Sequence, residues 1–114
     1  MSKSQDIRDT RDFIMERDGY KCQHEGCNVR GYDNLQMAHL IAKSKSSCYY
    51  VINFWYQNFN ESITKKKAMA ILNRPENLTA SCPDHNSYFN RAGNMMEVIN
   101  ILNRIKKEMD NEAK

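Results

Sequence analysis

Two cysteine- and histidine-containing segments of the chain have the residue types and spacing of zinc ligands. Cys22 and Cys27 are separated by four residues, and Gly26 directly precedes the second thiol. Glycine adopts positive φ without strain, so this turn can direct both sulfurs towards one ion. Cys82 and His85, separated by two residues, complete a set of four ligands. Together they predict a closed tetrahedral zinc site; free buried thiols are the alternative interpretation.

A further histidine and an asparagine lie beside these segments. His39 falls in the short apolar run Leu35–Ile41, and Asn86 directly follows His85. A lone histidine next to apolar residues is more often structural than catalytic. A catalytic interpretation of His39 therefore depends on the residues that the fold brings to it.

The composition indicates one soluble globular domain. The chain has 114 residues, of which 40% are hydrophobic and 27% are charged, and no apolar run approaches the length of a bilayer span. The first residues include no hydrophobic region of a signal peptide, so we expect an intracellular, cytoplasmic protein. In that reducing environment the four cysteines are expected to be thiols rather than disulfides.

The formal net charge is only +3, but basic residues flank both candidate segments. Lys43 and Lys45 follow the first histidine segment, Arg74 and Arg91 bracket the second, and residues 65–67 are three consecutive lysines. Such clusters are as consistent with a solvated surface as with nucleic-acid binding. The neighbouring metal-type residues favour an anionic partner.

Several elements are predicted to position these residues. Periodicity predicts a helix from Ser4 to Arg17, ended by Asp18 and Gly19, and the run Leu35–Ile41 predicts a strand. Pro83 suits the first turn of a helix that continues to Gly93.

The segment between residues 43 and 75 contains many aromatic side chains, which are more often core than base-stacking surfaces. Its second part predicts a helix capped by Asn60 or Ser62. A last helix is expected from Asn94 to about residue 110, with Glu97 completing a capping box. Its apolar face would pack within the chain or contact a second copy; it comprises Met95, Val98, Ile99, Leu102, Ile105 and Met109.

Four of these segments, in this order, carry a resemblance to a known family. Arg17–Cys22, Ala38–Ile41, Asn77-Leu78 and Cys82–Asn86 resemble the zinc-containing HNH endonucleases of the ββα-metal superfamily, in the variant whose third signature position is asparagine. Phage recombination endonucleases of that superfamily show the same juxtaposition of a zinc ligand and a metal-binding asparagine, which suggests a phage or mobile-element origin.

This resemblance covers about residues 11–92 and implies a small α+β fold of one domain, residues 1–114. A ββα-metal core with a structural zinc would be flanked by N-terminal and C-terminal helices and interrupted by a helical insertion. The implied zinc ligands are Cys22, Cys27, Cys82 and His85. Zinc binding would contribute roughly 10 kcal/mol or more to folding.

The resemblance also implies roles in hydrolysing DNA. His39 matches the general base, Asn77 matches the middle asparagine that fixes the loop between the strands, and Asn86 matches a ligand of catalytic Mg²⁺ or Mn²⁺. Lys43, Lys45, Arg74 and Arg91 are candidates for phosphate contacts.

Two positions depart from the family pattern. Many relatives have a metal-binding aspartate directly before the catalytic histidine, where this chain has Ala38. His85 stands where a cysteine is commoner, so His24 is an alternative zinc ligand, although the spacing from Cys82 favours His85. Ala38 keeps open a second interpretation, a non-catalytic zinc module that binds nucleic acid or protein.

Overall fold

The computed structural model describes residues 3–86 and 95–113, with side chains from Asp9 onward. Within these ranges the fold is a small α+β arrangement of four helices and one two-stranded antiparallel sheet. The elements are α1 (Lys3–Arg17), β1 (Gln36–His39), α2 (Lys45–Phe59), α3 (Lys65–Leu72), β2 (Leu78–Ser81) and α4 (Met95–Glu112), with short 3₁₀ turns at Tyr32–Asn34 and Pro75–Asn77.

The two strands pair although two helices separate them in sequence. Gln36 pairs with Ser81 at one end of the sheet, and His39 pairs with Leu78 at the other. Helices α2 and α3 lie between β1 and β2 along the chain, where the sequence predicted an insertion. His39 is therefore the last residue of its strand and precedes the segment that leads into α2.

The outer edge of β2 is closed by side chains and backbone from the last residue of α1 and the segment that follows it. The Arg17 guanidinium donates to the Leu78 carbonyl, and the Ala80 amide donates to the Asp18 carboxylate at 2.8 Å. The backbone amide of Gln23 donates to the Ala80 carbonyl at 3.0 Å. An exposed strand edge can pair with another chain, and these contacts satisfy its groups instead.

Two apolar clusters lie on different sets of elements. The larger joins α2, α3 and α4 around Trp55, Leu72 and Leu102. The smaller joins α1 to the sheet through Ile14, and contains the three cysteines predicted to bind zinc. The aromatic segment thus contributes to the core, with Phe54 and Trp55 buried, whereas Tyr49 and Tyr56 are exposed.

The predicted start of the insertion's second helix is wrong. Asn60 adopts φ 54° and ends α2, because asparagine tolerates the left-handed conformation needed at a helix C-terminus. Ser62 is not the cap either: α3 begins after Thr64, whose hydroxyl oxygen accepts from the Lys67 amide at 3.1 Å. Ser44 caps α2 in the same way.

Helix α4 uses its apolar side within the chain. Ile101, Leu102 and Ile105 are buried, whereas Met95 is exposed. Residues 87–94 lie outside the described ranges. They include most of the helix predicted from Pro83 to Gly93 and the cap predicted at Asn94. None of the helices in the described ranges combines the length and hydrophobicity needed to span a bilayer.

Candidate metal centre and the residues around it

The four predicted zinc ligands meet at one point. The donor atoms of Cys22, Cys27, Cys82 and His85 all lie within 4.8 Å of one another. The Cys27 and Cys82 sulfurs are 3.8 Å apart, and His85 Nδ1 lies 3.2 Å from Cys82 Sγ and 3.9 Å from Cys22 Sγ. Zn–S bonds of about 2.3 Å in a tetrahedron place two sulfurs about 3.8 Å apart. These distances fit a Cys₃His site for a metal such as zinc.

Two turns bring the ligands together. In the first, the Cys27 amide donates to the His24 carbonyl at 3.0 Å, and Gly26 adopts φ 80°, which an L side chain would strain. In the second, the His85 amide donates to the Cys82 carbonyl at 3.1 Å. Each turn directs two donors to the same side, as the ligand spacing predicts.

The surroundings of Cys22 favour its thiolate form. Burial raises the pKa of the Cys22 thiol, but hydrogen bonds from the backbone at Cys82 and His24 and from the His85 and Cys27 side chains outweigh it, giving a pKa of about 6. For Cys27 the backbone bond at Val29 lowers the pKa, yet burial and the neighbouring thiols raise it above its usual value. All four cysteines of the chain are free thiols, so none is consumed by a disulfide.

His24 lies against the cluster without joining it. Its ring stacks on the His85 ring, with centroids 4.0 Å apart and planes 6° apart, and its Nδ1 lies 3.1 Å from the Glu25 carbonyl oxygen. The set of mutually close donors includes His85 and not His24. Sequence reasoning missed this stacking because a ring contact between residues on two separate turns leaves no spacing signal.

His39 is half-buried at the end of β1. Its Nε2 atom lies 2.9 Å from Oδ1 of Asn73, the residue that follows α3. Asn73 was not singled out by the sequence, where nothing distinguishes it from the chain's other asparagines.

Asn77 is fully buried and joins two segments through three hydrogen bonds. Its Oδ1 accepts from the Ile41 amide at 2.7 Å. Its Nδ2 donates to the carbonyls of Ile41 at 3.0 Å and Leu72 at 2.8 Å. The backbone two residues after His39 is thereby fixed to the end of α3.

Asn86 contacts the opposite end of β1. Its Nδ2 donates to Gln36 Oε1 at 2.7 Å, and the side chain is partly exposed. Gln36 and His39 are three residues apart, roughly 10 Å along a strand, and strand alternation directs them to opposite faces. His39 and Asn86 thus have separate partners at opposite ends of β1.

The position before His39 offers no metal ligand. Ala38 is buried, with 1% of its surface exposed. Across residues 9–86 and 95–113, the Cys₃His cluster is the one group of three or more cysteine, histidine or carboxylate donors close enough to hold an ion.

The basic residues predicted to contact phosphate fall into three groups. Lys43 and Lys45 are exposed near the start of α2, close in sequence to His39. Arg74 instead forms ion pairs with Glu76, at 3.0 Å, and with Glu112. The hydrogen bond with Glu112 raises the pKa of the Arg74 guanidinium, and the bond with Glu76 raises it further. Burial acts in the opposite direction but does not cancel these two effects. Arg91 lies outside the described residues.

Comparison with known proteins does not assign this chain to a family. No protein-family model, curated protein or solved structure matches it.

Proposed function

We propose that this chain is a metal-dependent endonuclease that hydrolyses DNA phosphodiester bonds, with His39 as the general base. The observation that carries the proposal is the buried Asn77 side chain, which fixes the segment after His39 to the end of α3. A base must be held in position to accept a proton efficiently, and this clamp constrains the strand end that carries His39. The arrangement corresponds to the role that the resemblance implies for Asn77.

The zinc site has a structural role in this proposal. Three cysteines and one histidine supply a closed set of four ligands, which leaves no open position for substrate. The site joins the turn after α1 to the turn after β2, because Cys22 and Cys27 come from the first and Cys82 and His85 from the second. It thereby holds β2 and Asn86 in place.

Each remaining residue has a defined task. His39 accepts a proton from the water that attacks the phosphorus, and Lys43 and Lys45 contact flanking phosphates from the start of α2. The side-chain amide of Asn86 donates an N–H to Gln36. A hard cation would bind the carbonyl oxygen of the same Asn86 amide, which this hydrogen bond does not use. When bound, Mg²⁺ or Mn²⁺ would supply positive charge to the phosphate and the leaving oxygen.

One observation favours a second candidate, a non-catalytic zinc module that binds nucleic acid or protein. His39 and Asn86 have separate partners at opposite ends of β1, and Ala38 adds no carboxylate between them. In this alternative both residues stabilise the fold and perform no chemistry.

A plasmid-nicking assay with Mg²⁺ or Mn²⁺ separates the two functions. The endonuclease proposal predicts nicking by the wild-type protein and losses of about 10²–10⁴-fold in His39→Ala. Asn86→Ala should need more metal, whereas Asn103→Ala, a change at an exposed position on α4, should behave like wild type. Undiminished nicking by His39→Ala would refute the assigned base. No cleavage of duplex, branched or single-stranded DNA by the wild type would favour the binding module.

A further inference from the structure

We propose that Asn73 is a positioning residue for His39, holding its imidazole in the tautomer with the proton on Nε2 and leaving Nδ1 as the basic atom. The catalytic consequence of this inference rests on the proposed endonuclease function. The tautomer itself does not, because it follows from a hydrogen bond within the folded protein.

The chemistry of the contact fixes the direction of the hydrogen bond. Asn73 Oδ1 lies 2.9 Å from His39 Nε2 and is a carbonyl oxygen, which can only accept. Nε2 must therefore carry the proton, and in a neutral imidazole the other nitrogen, Nδ1, then has the free lone pair. The nitrogen that can take a proton from water is thus Nδ1.

The backbone of Asn73 is itself held in place. Its amide lies 3.1 Å from the Met69 carbonyl oxygen and 3.2 Å from that of Ala70, which closes the last turn of α3. The preceding carbonyl, of Leu72, accepts from Asn77. The position of Asn73 is therefore set by the helix and by the buried clamp, and not by its exposed side chain.

Asn77 consequently acts on both members of the pair. It binds Ile41, two residues after His39, and Leu72, one residue before Asn73. The clamp brings the end of β1 and the end of α3 together, so that the Asn73 side chain can reach the His39 ring. The insertion is thus part of the site, because it delivers the group that orients the base.

The tautomer can be measured without any nuclease activity. Long-range ¹H–¹⁵N NMR spectra of the zinc-loaded protein distinguish protonated from bare ring nitrogens, and the chain has three histidines to assign. We expect His39 to have a protonated Nε2 and a bare Nδ1 in the wild type, and a mixture of tautomers in Asn73→Ala. A protonated Nδ1 in the wild type, or an unchanged spectrum in Asn73→Ala, would overturn the inference.

Kinetics test the consequence for catalysis. Removing the hydrogen-bond partner of a metal-ligating histidine typically costs about 10–100-fold in affinity or activity, and we expect a loss of the same order for a histidine that acts as a base. Asn73→Ala should lose this factor in kcat with little change in KM, whereas Asn103→Ala should lose nothing. Asn73→Asp keeps an acceptor and should recover the rate at high pH, with the acid limb of the pH–rate profile moved upward because a carboxylate stabilises the imidazolium.

The two measurements keep the two proposals distinguishable. If the wild type does not cleave DNA, the endonuclease function fails and the NMR result still decides the tautomer. If the wild type cleaves and Asn73→Ala has the same kcat and the same pH profile, the positioning role is wrong although the nuclease assignment stands. Equal zinc content in all variants shows that a lost rate does not come from unfolding.

Discussion

The sulfur of Cys27 lies 3.8 Å from the sulfur of Cys82, although 55 positions separate the two residues in the chain. Cys22 and His85 bring their donor atoms to the same point, so one ion would tie the turn after α1 to the turn after β2. Because ligands so arranged exist only in the folded chain, metal binding and folding are coupled.

The first prediction concerns the loss of one ligand. Cys82→Ser should abolish stoichiometric zinc binding and the cooperative thermal transition, since most of the binding free energy of a structural zinc is folding free energy. Cys48→Ser is the matched control: Cys48 is buried against Met69 in the other apolar cluster. The Cys48→Ser protein should retain one zinc per chain in metal analysis. A Cys82→Ser protein that still binds one zinc would contradict the ligand assignment.

The second prediction separates His24 from His85. His85→Ala should lose zinc affinity, because it removes a donor 3.2 Å from Cys82 Sγ. His24→Ala removes a ring that stacks on His85 but no zinc ligand, and it should keep one zinc per chain. Competition with a chelator of known affinity measures both. Loss of zinc in His24→Ala with retention in His85→Ala would reverse the assignment.

The third prediction concerns the Asn77 clamp. Asn77→Ala leaves the Ile41 amide and two carbonyls without their buried partner, so the free energy of unfolding should fall by on the order of 2–3 kcal/mol. Asn58→Ala is the control, since it removes an exposed side chain that donates to the Phe54 carbonyl. It should change the free energy of unfolding by less than about 0.5 kcal/mol. Urea unfolding measures both. Equal stabilities would show that Asn77 does not hold these segments together.

The sequence predicted the parts of the fold that depend on spacing or periodicity. Ligands separated by two and by four residues define turns, and the apolar positions of α4 define a helix face, so the Cys₃His cluster and α4 were both recognisable. Asn60 was assigned to the wrong helix because asparagine is favoured both at helix N-termini and in the left-handed conformation that ends helices.

Contacts between isolated side chains could not be predicted. Asn73 reaches His39 across 34 positions, and Gln36 reaches Asn86 across 50. Each is a single hydrogen bond with no repeat and no fixed spacing, so only the folded backbone reveals it. Arg74 was expected to contact DNA because of its charge and its place beside the second candidate segment, whereas its ion pair with Glu112 depends on where α4 ends.

The fourth prediction follows from one of those ion pairs. The hydrogen bond from Arg74 lowers the pKa of Glu112 below its ordinary value of 4.5. A lowered pKa means that the carboxylate stabilises the folded state above about pH 4.5, and that this contribution disappears as the pH falls through the lower, folded-state value. Glu112→Gln should therefore have a slightly lower Tm than wild type at pH 7.

At a pH where Glu112 is protonated, the two Tm values should converge. Glu108→Gln, at another exposed glutamate of α4, is the control. The difference between its Tm and that of wild type should be the same at acidic and neutral pH. A difference between Glu112→Gln and wild type that is equally large at acidic and neutral pH would show that the ion pair is not its source.

The most direct test of the account is single-turnover cleavage of a labelled DNA duplex by His39→Ala, with and without added imidazole. If His39 is the general base, the variant cleaves about 10²–10⁴-fold more slowly than wild type with its zinc content unchanged, and free imidazole restores part of the rate. Cleavage by His39→Ala at the wild-type rate, with no response to imidazole, would contradict the assignment of His39 as the base.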